Sequence, residues 1–306
     1  MRTWDTRVKY AVNKACHVVT VGDDRMRPER YPTDLTDDEW AVVSKLFTKS
    51  EHRGAKRKHA LRRIIDGCLY VLRGGIAWRM MPHDLPPWTD VYDHFRRWRK
   101  SGKWEQVNAA LREQYRTRRG RKAQPTAAAI DSQSVKTTES GGPRGYDGGK
   151  KISGRKRQTL VDTEGDVLKV RVHPADLHDK AGGILLLAGL HLWFPAIQLV
   201  WADTHYQGLK TWAKDRLGWT IEVVKHWWTG VQGFWLAPGQ EPPEIPKGFH
   251  VLPRRWVAER TFAWLGRHRR LSKDYERLPE SEETFIYMAM SHILVKRLAR
   301  PPSHLH

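Results

Sequence analysis

Two hydrophobic periods divide this chain. Leu61, Ile64, Ile65, Cys68, Leu69 and Leu72 recur at three and four residues, which predicts a helix over about 58–72 that stops at Gly74-Gly75. Ahead of it, Thr36 and Glu39 stand three apart before Trp40, Val43 and Phe47, a capping box that marks where an earlier helix begins. Val91, Tyr92, Phe95 and Trp98 predict a third helix, Trp88 to Lys100, with Arg96, Arg97, Arg99 and Lys100 crowding its end. Helix, glycine turn and basic aromatic helix suggest a helix-turn-helix. Residues 1–30 show weak periodicity and no clear caps, and read as an irregular arm. Gly120 to Pro125 is short, basic and closed by proline, and reads as a linker.

Beyond the linker the period shortens. Thr126 to Asp131 is a small-residue strand ending in a carboxylate; Gln158–Asp162 and Val167–His173 form a hairpin across Thr163-Glu164-Gly165-Asp166; Ile197–Ala202 ends at Asp203; Thr220–Val224 is a further strand. Helices are expected over Lys180–Leu190, Leu209–Leu217, Arg254–Arg270 and Glu283–Ala299, and the Gly- and Pro-rich stretch 230–248 as a loop. Hairpin strands followed by alternating strand and helix predict an α/β fold with a sheet of mixed direction behind an all-α N-terminal region.

Composition then restricts what such a fold does. At 306 residues the chain buries a core without staples, and with only Cys16 and Cys68 a disulfide framework is excluded, which suits a reducing cytoplasm. No run of about 18 apolar residues predicts a membrane span. Fifty-four Lys and Arg against 34 Asp and Glu leave +20, a surplus that calls for a polyanionic partner. Residues 1–122 are the more basic part, with 28 cations and 15 anions. The tryptophans at 40, 78, 88 and 98 read as core anchors rather than base-stacking platforms. His173, His178 and His205 do not fall in a zinc-ligand spacing.

Asp131 and Asp203 each follow a predicted apolar strand, where open α/β sheets gather functional groups. If the strands are neighbours the carboxylates converge, and converging carboxylates hold hard divalent cations able to assist phosphodiester cleavage. Glu259 is the third candidate, on a helix whose Arg255 and Arg270 share its face. Asp162 and Asp176 also follow apolar residues, and spacing does not choose between these carboxylates. Gly141 to Lys156 is glycine-rich and basic but lacks the P-loop order.

The order of motifs resembles the DDE transposases of bacterial insertion sequences, the insertion sequence 5 group of the insertion sequence 4-like superfamily. The matching pieces are residues 31–40 (Tyr31-Pro32-Thr33 through Trp40), 70–79 (Tyr70 through Arg79), 130–138 (Ile130-Asp131-Ser132 through Thr138), Gly145-Tyr146-Asp147, Gly154-Arg155-Lys156-Arg157, 202–208 (Ala202-Asp203-Thr204 through Gly208) and 256–265 (Trp256 through Leu265). The resemblance implies a helical DNA-binding domain over 31–122 and, over 123–300, an RNase H-like catalytic domain with a mixed five-stranded sheet. It implies Asp131, Asp203 and Glu259 as the metal-holding triad, with two Mg²⁺ or Mn²⁺ ions. It also implies cleavage at terminal inverted repeats followed by strand transfer into target DNA, without a covalent enzyme intermediate. Arg79, Arg96, Arg97, Arg99, Lys100, Arg155, Lys156, Arg157, Arg255, Arg267 and Arg270 are the expected DNA contacts. A homo-oligomer on double-stranded DNA at the bacterial nucleoid is expected, with no membrane partner. The chain departs from the pattern at Leu252, where the superfamily has tyrosine, at Gly266, where it has lysine, with Arg267 or Arg270 as substitutes, and at Gln158, where relatives commonly have histidine. The alternatives are a catalytically silent DNA-binding regulator of the same descent and a nuclease or resolvase that does not join its products.

Overall fold

The capping box forms as spelled: the Glu39 N–H donates to Thr36 Oγ1 and the Thr36 N–H to Glu39 Oε2, both at 3.2 Å, and α1 (Asp37–Phe47) starts there. α2 (Leu61–Gly74) buries all six residues of its predicted face and ends on Gly75, whose φ of 71° is left-handed. α3 (Trp88–Lys100) has the predicted bounds. Residues 75–87 between them include a 3₁₀ turn, Trp78–Met80, and make a longer connection than the three- or four-residue turn of a compact helix-turn-helix. The computed structural model describes residues 31–47, 58–224 and 256–300; the predicted arm, the 230–248 loop and the start of the helix expected from Arg254 lie outside those residues.

α4 (Lys103–Arg118) is not among the expected helices, although Trp104, Val107 and Leu111 recur at helical spacing. Its buried face also holds Asn108, Arg112 and Arg116, so half of it is polar and the apolar signal is weak. The polar members have specific work: Arg116 pairs with Asp162 at 2.5 Å, and Arg112 donates to the Val167 carbonyl at 3.0 Å.

Six strands follow: β1 (Ala127–Lys136), β2 (Gly145–Asp147), β3 (Ile152–Asp162), β4 (Val167–Pro174), β5 (Leu199–Ala202) and β6 (Thr220–Val223). Their order is β2-β3-β1-β5-β6, with β4 also paired to β3. β1, β5 and β6 run parallel, and β3 runs antiparallel to β1, β2 and β4. With α5 (Asp179–Leu187), α6 (Lys210–Leu217), α7 (Trp256–Gly266) and α8 (Pro279–Ala299), this is an RNase H-like α/β sheet. Two strands are longer than expected. β1 continues past Asp131 because its antiparallel pairing with β3 runs on to Lys136↔Gly154 after the parallel pairing with β5 stops at Ala129↔Trp201. The Gly141–Lys156 stretch contains β2 and the start of β3, and Gly154 is glycine for close approach: a Cβ there would lie 1.9 Å from the Val135 carbonyl oxygen.

Successive strand residues point to opposite faces, and the core divides accordingly. Ala128 and Ile130 pack with Leu186, Leu209 and Leu217 on the side of α5 and α6. Ala129 packs with Val161, Val257, Leu265 and Phe285 beneath α7 and α8, and this second core runs on into Ile64, Leu72, Phe95 and Leu111 of the N-terminal helices. α8 joins the two regions; Phe285, Ile286, Met288, Ala289 and Met290 are fully buried, as expected of a stretch of helix that is apolar on every side. No helix among the described residues is long and apolar enough to cross a membrane.

Candidate functional site

The parallel register that ends at Ala129↔Trp201 carries Asp131 and Asp203, each two residues further on, to one edge of the sheet. Asp131 has the parity of Ala129, so its side chain leaves β1 on the face covered by α7, whose first turn holds Glu259. Asp131, Asp203 and Glu259 line one cleft of about 620 Å³. Asp147 of β2, Lys156 of β3 and Asp179 of α5 line the same space.

Local bonds hold these groups. Asp131 Oδ1 accepts the Ser132 N–H at 2.7 Å. Asp203 caps a 3₁₀ turn, Thr204–Leu209: its Oδ1 accepts the His205 N–H and its Oδ2 meets His205 Nδ1, both at 2.9 Å. Lys156 Nζ lies 3.2 Å from Asp179 and 3.8 Å from Asp147, and donates to the Leu177 carbonyl at 3.1 Å. Ser134 donates to Asp147 at 2.5 Å and Ser132 to Asp179 at 2.9 Å. Burial opposes ionisation of Asp147, but the Ser134 and Lys150 hydrogen bonds, the Lys156 charge and the Gly149 N–H outweigh it and hold that carboxyl below its ordinary range. Burial, with the charges of Asp131 and Asp179 nearby, pushes the Tyr206 hydroxyl well up, so it remains a neutral donor and bonds Gln158 Oε1 at 3.1 Å. Gln158 Nε2 in turn donates to the Asp179 carbonyl at 3.2 Å, which ties β3 to the start of α5.

Carboxylate oxygens are the hard donors that Mg²⁺ and Mn²⁺ take, so Asp131, Asp203 and Glu259 fit a divalent ion in kind. Among the described residues no three His, Cys, Asp or Glu side chains stand close enough to hold one ion in common. Joint ligation therefore requires side-chain rearrangement. Of the two rival carboxylates, Asp162 is buried, paired with Arg116, and accepts the N–H groups of Glu164 and Asp166 at the β3–β4 turn, a structural task. Asp176 is exposed and lines the cleft.

Two family models match the chain. That for transposases of the IS4/5 family (DUF4096) covers residues 35–108, and that for the transposase DDE domain covers residues 122–294, more than half of the chain. The chain belongs to the DDE transposases of the IS4/5 type. It matches no curated protein and no solved structure. Membership makes it a DNA-cleaving transposase, and DDE transposase domains generally use divalent metal ions.

The transposase does not present all its cations as the sequence led us to expect. Arg79, Arg96, Arg97, Lys100 and Arg267 are exposed. Arg99 is half-buried and donates to Ser281 at 2.8 Å. Arg155, Arg157 and Arg270 are buried and engaged within the protein. Arg155 is fully buried, 2.8 Å from Asp274, and donates to the carbonyls of Pro143, Glu276 and Arg277. Arg157 pairs with Glu282, and Arg270 with Glu276 at 2.5 Å while also donating to the Ile76 carbonyl. Lys156 is buried yet faces the cleft, because in a strand it points opposite to its neighbours. Arg255 lies outside the described residues. Sequence reasoning missed Asp147, Asp179 and Lys150 as cleft residues. The first stood in plain view in the Gly145-Tyr146-Asp147 motif, whereas Asp179 reads as an ordinary first-turn acid of a helix.

Proposed function

We propose that this transposase binds the terminal inverted repeats of its insertion sequence and cuts and joins DNA at the cleft, with Asp131, Asp203 and Glu259 as the groups that hold its divalent ions. The observation that carries the reading is the meeting, in one cleft at the sheet edge, of three carboxylates from β1, from the turn after β5 and from α7. Bound Mg²⁺ or Mn²⁺ would supply polarisation of the attacking and leaving oxygens. Water adds to the phosphorus and the P–O3′ bond breaks, freeing a 3′-hydroxyl; that hydroxyl then attacks a target phosphodiester and displaces another 3′-oxygen. Within the chain, Asp203 is kept in place by the turn it caps, and Lys150 contributes a cation at the cleft wall where a backbone phosphate is brought in. The exposed Arg79, Arg96, Arg97, Lys100 and Arg267 are proposed DNA contacts, and pairing of two ends requires at least two copies of the chain.

A second reading, a DNA-binding regulator without catalysis, is favoured by one observation: among the described residues no three carboxylates share an ion's reach. DNA carrying the end of the element, incubated with the protein and Mg²⁺, separates the two. The first reading expects nicking and joined products that vanish in Asp131→Ala and in Glu259→Ala while binding persists. Cutting that survives either substitution would sink the carboxylate assignment, and binding with no cutting by the intact protein would favour the regulator.

A further inference from the structure

The β2–β3 hairpin carries an aromatic ring at the cleft to which the cutting chemistry gives no role, beside a group of cations that includes Lys150. Tyr146, the central residue of β2, is 58% exposed and lines the cleft. Its cross-strand partner is Ser153, too small to cover a ring. The backbone beneath the ring is held firmly. Asp147 Oδ1 accepts the N–H groups of Gly149 and Lys150, each at 3.0 Å, and its Oδ2 takes the Ser134 hydroxyl. Gly145 lies so close to Asp176 that a Cβ would come within 2.2 Å of the carboxylate oxygen. Arg144, Lys150 and Lys151 are exposed around this turn, while its one acid, Asp147, is occupied by the turn itself.

A flat ring on rigid support beside exposed cations is what base stacking on a nucleic-acid strand needs. Bases inside a duplex are already stacked on one another, so such a ring takes a base that has left the helix or sits at a broken end. We propose that Tyr146 stacks on an unpaired base of the DNA strand lying in the cleft, with Lys150 against an adjoining phosphate. This assignment rests on the cleft being the place where DNA is cut, and it adds how the strand is held there. The hydroxyl of Tyr146 takes no part; the ring face does the work.

Binding of the full chain to a short single-stranded oligothymidylate and to a blunt duplex of equal length, both in EDTA, tests it. Tyr146→Ala is expected to weaken the single strand about 10- to 100-fold and the duplex by less than about twofold. Tyr146→Phe should bind both as the parent does, and Lys150→Gln should weaken both and flatten the salt slope by about one. Ultraviolet crosslinking of an oligonucleotide carrying 5-iodouracil should place the adduct on Tyr146, and circular dichroism melting of Tyr146→Ala checks that it folds. Unchanged single-strand binding, an equal loss on both ligands, or an adduct found only elsewhere would overturn the proposal. No divalent ion is present in these measurements. Loss of cutting in Asp131→Ala alongside normal oligothymidylate binding by Tyr146→Ala would leave the cleavage reading standing and remove this one; the reverse pair of results would do the opposite.

Discussion

Two basic runs of this transposase look alike as text and behave oppositely in space. On α3, Arg96, Arg97 and Lys100 stand exposed, and Arg96 is only 3.3 Å from its helical neighbour Asp93. On β3, Arg155, Lys156 and Arg157 are all buried, and the two arginines are paired with Asp274 and Glu282, more than a hundred residues away in sequence. A cation near the surface is solvated and its local ion pair is worth about 0–1 kcal/mol. A cation inside must have a partner, or its desolvation is uncompensated. The difference teaches that charge count alone does not identify a DNA-binding surface; the fate of each cation depends on whether the fold delivers a carboxylate to it.

The sharpest way to break this contrast is to strand a buried acid. Arg157→Met leaves Glu282, which is fully buried and whose carboxyl burial pushes up to about 8, without its partner; the acid then takes a proton, and the stranded group should cost about 3 kcal/mol in denaturant unfolding. Pairing it with Glu282→Leu should recover most of that loss. A cost below about 1 kcal/mol for the single change would show that the inner run is not structural.

A smaller effect concerns a buried group that has no opposite charge to support it. Burial, aided by the positive charges of Lys296 and neighbouring groups, lowers the His292 pKa to about 3, and burial lowers that of His268 to about 4. The unfolded chain binds protons at these histidines near pH 6.5 whereas the folded one refuses them, so their contribution to stability is complete above about 6.5 and falls as the pH drops. Each should remove about 2 kcal/mol between pH 7 and pH 5. Asp66 and Glu283, whose carboxyls burial raises to about 7, work in the opposite direction over the same range. The readout is therefore the difference between parent and His292→Gln: the variant should lose about 2 kcal/mol less between the two pH values, and parallel losses would refute the assignment.

The smallest effect on stability lies at the outer run. Arg97→Gln should alter unfolding free energy by no more than about 0.5 kcal/mol. The same change should weaken binding to DNA of any sequence and lower the slope of log affinity against log salt by about one. An unchanged slope would place α3 away from the phosphates.

Much of the fold was legible because its signals are local. The Thr36 and Glu39 box, the six-residue face of α2 and the Thr163–Asp166 turn each need only neighbours a few residues apart. α4 was only weakly legible, since Trp104, Val107 and Leu111 recur at helical spacing but share their face with Asn108, Arg112 and Arg116. At the candidate site, Asp131 and Asp203 could be found as acids following apolar strands, whereas Asp162 and Asp176 fitted that description equally well. The family resemblance chose Asp131, Asp203 and Glu259, and the cleft contains all three together with Asp176, while Asp162 is engaged inside by Arg116.

By itself the amino-acid order determined the starts of α1 and α3, the apolar face of α2, the β3–β4 turn, the large positive surplus and the motif series that marks the transposase family. These depend on side-chain period, capping chemistry and composition, all of which act over a few residues or over none. Only the tertiary structure decided that Lys156 faces the cleft while Arg155 and Arg157 turn inward, and that α8 unites the helices with the sheet. Those outcomes come from strand register and from partners far along the chain, and a pairing between residues a hundred positions apart leaves no period for a sequence to display.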